Sequence, residues 1–296
     1  MEEIDARRLL TPVHGSRTDF FYSDWNMNLY HGCCHGCIYC DSRSLCYHLQ
    51  DFDTIRPKRN ALALLEDELR RKRRAGVVSM GAMTDPYNPL EERLLLTRGA
   101  LQMLKRYGFG AALTTKSALV ARDAALLADI ARAAQVCVQI TVTCADDALC
   151  RRIEPNVSPT SERLATLRTL AEAGVYAGVW INPMLPFITD SEDNLVGVLH
   201  QSAAAGARFA VCFFSMTLRS GNREYFFDAL QRDFPGVRDK YLRTYGNAYE
   251  CTVPDAERLY ARFKDECERL GLAWRFREIN EQAAARAHCQ LSLFDP

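Results

Sequence analysis

Short apolar runs alternate with amphipathic stretches along most of this chain. Residues 60–76, NALALLEDELRRKRRAG, put Leu62, Leu65 and Leu69 on one helical face and stop at Gly76, and GVVSMGA follows as a buried strand. The unit recurs as the helix LTRGALQMLKRYG, the strand FGAALTT, the helix ALVARDAALLADIARAA and the β-branched strand VCVQITVT. SERLATLRTLAEAG is expected as a helix capped by Ser161, followed by VYAGVWINPM, the helix SEDNLVGVLHQSAAAG and the strand ARFAVCFFSM. With DWNMNLY ahead of them these make six strands in an α/β alternation. Right-handed βα units in that number build an open doubly wound sheet or an incomplete barrel, and both bind ligands at the carboxyl ends of the strands. Beyond about residue 220 the pattern turns helical and aromatic, in REYFFDALQRDFPGV and DAERLYARFKDECERLG, and predicts a small appendage over the barrel.

Composition adds limits. With 296 residues, 48% of them hydrophobic, the chain can bury a sizeable core, and 37 basic against 37 acidic side chains leave no overall field toward nucleic acid or an anionic surface. The basic run Arg70, Arg71, Lys72, Arg73 and Arg74 follows Glu66, Asp67 and Glu68 at i, i+4 spacing, the pattern of a solvated helix face. The first residues lack the apolar core of a signal peptide, and no stretch reaches the length of a membrane span, so a cytoplasmic protein without membrane association is expected. In a reducing compartment the twelve cysteines predict packing where scattered and metal where clustered.

The cluster is NLYHGCCHGCIYCDSRSLC, residues 28–46, in the loop after the first strand. Cys33, Cys37 and Cys40 have the spacing C-x3-C-x2-C, so three thiolates can converge on one metal centre and leave a coordination position open. The alternative is a zinc knot completed by His31, His35 or His48. Cys34 and Cys46 fall outside the triplet.

That spacing, together with GAMTDPYNPLE, LTTKSALVARD, IEPNVSPTSERL and INPMLPFITD, resembles the radical S-adenosylmethionine (radical SAM) superfamily, and within it the spore photoproduct lyase-like family. The resemblance implies a partial (β/α)6 TIM-type barrel with a small helical C-terminal appendage. It implies a [4Fe-4S] cluster on Cys33, Cys37 and Cys40, with S-adenosylmethionine (SAM) chelating the fourth iron. Cleavage of SAM to a 5'-deoxyadenosyl radical would then abstract hydrogen from a substrate, with an electron donor such as flavodoxin or ferredoxin. Tyr39 would pack near the adenine, Thr84 and Asp85 would contact the amino end of SAM, and Lys116 its carboxylate. Thr141 or Thr143 would help to hold the same group, and Asn182 would lie near the ribose or adenine. Glu154 is expected to anchor a loop and Arg163 to form an ion pair. Lyases that revert the spore thymine dimer carry a hydrogen-donating cysteine two residues before the Thr84 position; this chain has Ala82 there, which leaves Cys144 and Cys212, near strand ends, as donor candidates.

Arg219, with Tyr225, Phe226 and Phe227 nearby, could form a substrate lip or belong to a packed appendage. The terminal QLSLF, Gln290, Leu291, Ser292, Leu293 and Phe294, resembles the peptide with which bacterial DNA repair and replication proteins bind the sliding clamp. The expected division is an N-terminal extension over 1–23, a core barrel over 24–220, an appendage over 221–280 and a tail over 281–296. DNA-lesion repair or nucleic-acid modification is the favoured use. A radical SAM enzyme acting on a protein, peptide or small metabolite is one alternative, and a non-catalytic metal- or cluster-binding adaptor the other.

Overall fold

The structure, a computed structural model, describes residues 2–14, 20–49 and 51–289. Six parallel strands, Trp25–Met27, Val77–Met80, Gly110–Thr115, Val136–Thr141, Ala177–Trp180 and Ala210–Val211, lie side by side in sequence order. Their register pairs Met27 with Met80, Met80 with Leu113, Thr115 with Ile140 and Thr141 with Trp180. A seventh strand, Thr11–Pro12, runs antiparallel on the outer edge of the first. The sheet is thus the partial α/β barrel expected of the sequence.

Helices Ala61–Arg70, Leu96–Arg106, Ala124–Ala131, Thr160–Glu172 and Glu192–Ala204 connect successive strands. In the first, Ala61, Leu65 and Leu69 recur at i, i+4, i+8 and are buried, whereas Leu62 is only partly covered. These stripes pack on Val78, Leu113, Val138 and Val179. Each such leucine taken from water contributes about 1.5–3 kcal/mol. The helix Glu192–Ala204 starts as expected, with the Ser191 hydroxyl accepting from the Asn194 amide at 3.2 Å. Ser161 does not cap its helix: Pro159 holds that position, and the Ser161 hydroxyl donates to Asp147 at 2.6 Å.

The basic run is also paired differently. The helix ends at Arg70, so only Asp67–Arg71 forms as an i, i+4 pair, at 3.2 Å. Glu66 instead meets Arg106 at 3.1 Å, and Glu68 accepts from the Leu9 and Leu10 amides at 2.9 and 2.7 Å. Part of the expected N-terminal extension is thereby built into the barrel, with Leu9 and Leu10 in its core.

The appendage holds helices Asn222–Asp233, Val237–Tyr245 and Ala256–Leu270 and a two-stranded ribbon, Ser215–Thr217 against Glu250–Thr252. Phe226, Phe227 and Tyr241 pack with Cys37, Ile38 and Tyr39, so this layer covers the cysteine loop. The last described helix, Phe276–Cys289, extends into the stretch expected as a tail. It carries Ile279 and Ala283 against Phe21, Cys137, Tyr176 and Phe209, side chains on the face of the sheet opposite the outer helices. Asn280 fixes it there, accepting from the Tyr22 amide at 3.0 Å and donating to the Phe20 carbonyl at 2.8 Å.

Candidate functional site

The cysteine loop owes its shape to backbone contacts with two other segments. The Cys33 amide donates to the Phe52 carbonyl at 2.8 Å, the Ile38 amide to Ile153 at 3.0 Å and the Asn156 amide to His35 at 3.2 Å. The Asn156 side chain adds a bond to the Cys34 carbonyl at 3.0 Å. Gly32 turns the chain with φ +78°, where a Cβ would collide with the Phe52 and Thr54 carbonyls.

Of the residues expected at the site, Cys33, Cys37, Cys40, Tyr39, Thr84, Asp85, Lys116 and Thr141 all line one cavity of about 110 Å3 at the carboxyl rim of the strands. Cys33 and Cys37 are buried and Cys40 half-buried. Burial pushes the Cys37 thiol well above the ordinary range, and the Lys116 ammonium acts in the opposite sense. For Lys116 burial opposes the charge, but the Cys37 sulfur and the Glu154 carboxylate favour it and hold the ammonium above the usual lysine range. That ammonium lies 5.8 Å from the centre of the Tyr39 ring and forms no salt bridge among the described residues.

Asp85 is more heavily committed than a ligand contact would be. Its carboxylate accepts from the Thr115 hydroxyl at 2.7 Å and from the Tyr87 and Lys116 amides at 2.8 Å each, so it ties its own loop to the end of the strand Gly110–Thr115. The Thr141 hydroxyl is buried in the cavity wall and has no hydrogen-bond partner among the described residues. An orphaned hydroxyl and an unpaired ammonium on one small cavity fit a polar anionic ligand group.

Four expected residues are not on this cavity. Thr143 donates to Glu154 at 3.2 Å. The Asn182 amide is spent on backbone, accepting from the Phe213 N–H at 2.8 Å and donating to the Val211 carbonyl at 3.4 Å. Cys144 is buried behind the rim, with its thiol 3.5 Å from the Asp146 carbonyl, and Cys212 also lies off the lining, so the structure brings neither donor candidate to the cavity. Arg219 is engaged by the Tyr47 and Tyr249 hydroxyls at 3.0 and 2.7 Å, and Phe226 and Phe227 are core residues, which is the packed-appendage alternative.

Glu154 and Arg163 do form the expected ion pair, at 2.5 Å and with both side chains fully buried. Arg163 also donates to the Thr141 carbonyl at 2.9 Å and the Ser158 carbonyl at 2.6 Å. His35, a zinc ligand in the alternative reading of the cysteine segment, lines the cavity with its Nδ1 3.6 Å from Asp85. A second cavity, of about 490 Å3, shares Gly81, Ala82 and Thr114 with the first and is otherwise lined by residues that strand pattern alone did not single out.

The donor set fits a cluster. Among the described residues no three Cys, His, Asp or Glu side chains converge on a single-ion site, and the three thiols surround a cavity instead. Thiolates ringed about a volume suit a multi-iron centre, whereas a zinc site draws its ligands to about 2.3 Å from one point.

A partial α/β barrel with three thiols, a lysine and a free hydroxyl at its carboxyl rim defines a barrel protein built to hold a cysteine-ligated cofactor. The Radical SAM superfamily pattern matches residues 27–198, and the chain belongs to that superfamily. An uncharacterized protein of Mycobacterium tuberculosis is 35% identical over 228 residues, covering 75% of this chain and 67% of the relative. Another from Methanocaldococcus jannaschii is 30% identical over 169 residues, 56% of this chain and 62% of that one. Among solved structures, a spore photoproduct lyase variant superposes with a TM-score of 0.62 at 15% identity, covering 85% of this chain and 76% of the other. A radical SAM methyltransferase from Kitasatospora setae superposes with a TM-score of 0.56 at 10% identity, over 91% and 62% of the two chains. These likenesses establish a fold of the spore photoproduct lyase kind.

Proposed function

We propose that this chain is a radical SAM enzyme acting on nucleic acid, in repair or modification of a base. Cys33, Cys37 and Cys40 would hold a [4Fe-4S] cluster. Bound there with SAM, the cluster would supply one-electron reductive cleavage of the sulfonium and hydrogen-atom abstraction from a substrate carbon. The observation that carries the reading is the single cavity shared by the three thiols, the unpaired Lys116 ammonium and the unpartnered Thr141 hydroxyl.

The roles of the side chains follow from their chemistry. Lys116 offers a positive charge and Thr141 a hydroxyl to a carboxylate in a partly dry pocket, a charge-assisted contact stronger than a neutral one. Thr84, whose hydroxyl is 3.5 Å from the Tyr30 carbonyl, stands across the same cavity. Asp85 orients Lys116 through its backbone amide. Tyr39 keeps a flat apolar face on the cavity while its hydroxyl is turned away to Glu154. The appendage aromatics over the cysteine loop exclude water from the thiols.

Two supports favour nucleic acid: the likeness of fold to spore photoproduct lyase and the terminal QLSLF peptide, Gln290 to Phe294, as a ligand for a sliding clamp. That peptide lies outside the described residues. A flavodoxin or ferredoxin would supply the electron, and Ala82 rules out a thiol hydrogen donor at that position. Anaerobically reconstituted protein mixed with SAM and a chemical reductant is expected to release 5'-deoxyadenosine, and the Cys37→Ala protein to release none. Equal release by both, or by neither, would overturn the assignment.

A further inference from the structure

The second cavity, of about 490 Å3, meets the cysteine cavity at Gly81, Ala82 and Thr114. It lies on the inner face of the sheet, where Ala112, Thr114 and Gln139 alternate with Ala111, Leu113 and Val138 of the outer core. Its wall has two kinds of surface. One is aromatic: Trp180 stands edge-on to Phe20 with ring centres 5.5 Å apart and lies 5.3 Å from Phe21. Phe20 remains 51% exposed, as does the neighbouring Phe213 at 49%, although both are large apolar side chains. The other is a polar row. Thr114 donates to the Gln139 carbonyl oxygen at 2.6 Å, and Ser79 lies 3.4 Å from the Asn26 carbonyl oxygen, which leaves the Asn26 amide nitrogen without a partner among the described residues.

Every described side chain on this wall is uncharged. A phosphate or carboxylate drawn into such a chamber would lose its hydration with no cation among the described wall residues to replace it. A saturated apolar group would leave the Asn26 amide nitrogen facing carbon, whereas the Gln139 amide nitrogen is already held by the Cys137 carbonyl at 3.3 Å and sulfur at 3.2 Å. Flat unsaturated rings satisfy both surfaces, because their faces stack on aromatics and their edges take hydrogen bonds.

We infer that the chamber binds an uncharged heteroaromatic ring, stacked on Trp180 with Phe20 against its edge and hydrogen-bonded to the Asn26 amide nitrogen and the Thr114 and Gln139 side-chain oxygens, with its reacting edge at the Ala82 wall. This rests on the radical SAM reading for its chemistry but not for its binding. A nucleobase and an indole side chain both present such a ring, and any charged part of the substrate stays outside the chamber.

The test is ligand-observed NMR on the anaerobically reconstituted protein with thymine, indole and their carboxylated counterparts uracil-5-carboxylate and indole-3-carboxylate. Saturable binding of thymine or indole is expected, with the carboxylated ring weaker by about tenfold or more. Thymine preferred would mark a nucleobase substrate, and indole preferred an aromatic side chain. Trp180→Ala should weaken the neutral ring by about tenfold. No saturable binding of either neutral ring, equal binding of the charged counterpart, or binding untouched by Trp180→Ala overturns the proposal. The charge comparison needs no variant and so survives if Trp180→Ala does not fold. Iron and sulfide content of the same sample reports separately on the cluster.

Discussion

The phenol of Tyr39, between the second and third cysteines of the triplet, donates its hydrogen bond to the carboxylate of Glu154, 115 residues along the chain. Glu154 is in turn paired with Arg163 in a fully buried site, so the cysteine loop is braced by a charge pair that solvent does not reach. Removing one member of such a pair strands the other, which costs about 3–5 kcal/mol. Glu154→Gln should therefore lower unfolding stability by that order, and Tyr39→Phe, which leaves the pair intact, by about 1 kcal/mol. Urea unfolding of the two variants checks this, and equal losses would contradict it.

Gly81 separates the two cavities and has φ +104°, and a Cβ there would run into the Thr114 carbonyl. Gly81→Ala combines an unfavourable backbone conformation with a backbone collision. It should cost about 1–3 kcal/mol and displace Thr114 from the chamber wall. A thermal midpoint matching the parent's would count against this placement.

Glu266 carries a prediction about acid. Hydrogen bonds from Arg269 at 2.6 Å and His200 at 3.0 Å, with Arg262 at 2.8 Å, hold its carboxyl below the usual carboxylate range. A depressed folded pKa means stability that is present above the unfolded value, about 4.5, and lost as pH falls through the folded one. The stability gap between the parent and Glu266→Gln should thus be constant near neutrality and close as pH falls below the unfolded value and through the depressed folded one. A gap that widens in acid would contradict the assignment.

The sliding-clamp proposal is checked by truncation. Removing residues 290–296 should abolish binding to a purified bacterial clamp and leave SAM cleavage unchanged, because none of the cavity residues lies in that segment. Retained clamp binding would contradict it.

The barrel strands were legible because Gly110–Thr115 and Val136–Thr141 are short apolar runs bounded by turn residues, a local signal. The cysteines and Lys116 reach the cavity as motif and strand-end position imply, whereas the choice of Thr141 over Thr143 is not in the sequence. What failed was long-range. Glu66 chose Arg106 over its i+4 neighbour, and the helix Phe276–Cys289 anchors to Phe20 and Tyr22, about 260 residues away, through an alanine-rich face with little apolar periodicity. The chamber was hidden for a related reason. Strands buried on both faces give no alternation to show that Gln139 looks inward and Val138 outward. Asp85 lies on the cavity as expected and Asn182 does not, and both have backbone partners that sequence does not display.

The central claim is that Cys33, Cys37 and Cys40 together carry an iron–sulfur cluster, and the iron and acid-labile sulfide content of anaerobically purified protein tests it most directly. About four irons and four sulfides per chain are expected, falling to none when all three cysteines are replaced by alanine. One tightly held zinc without sulfide, or iron that survives the triple replacement, would contradict the account.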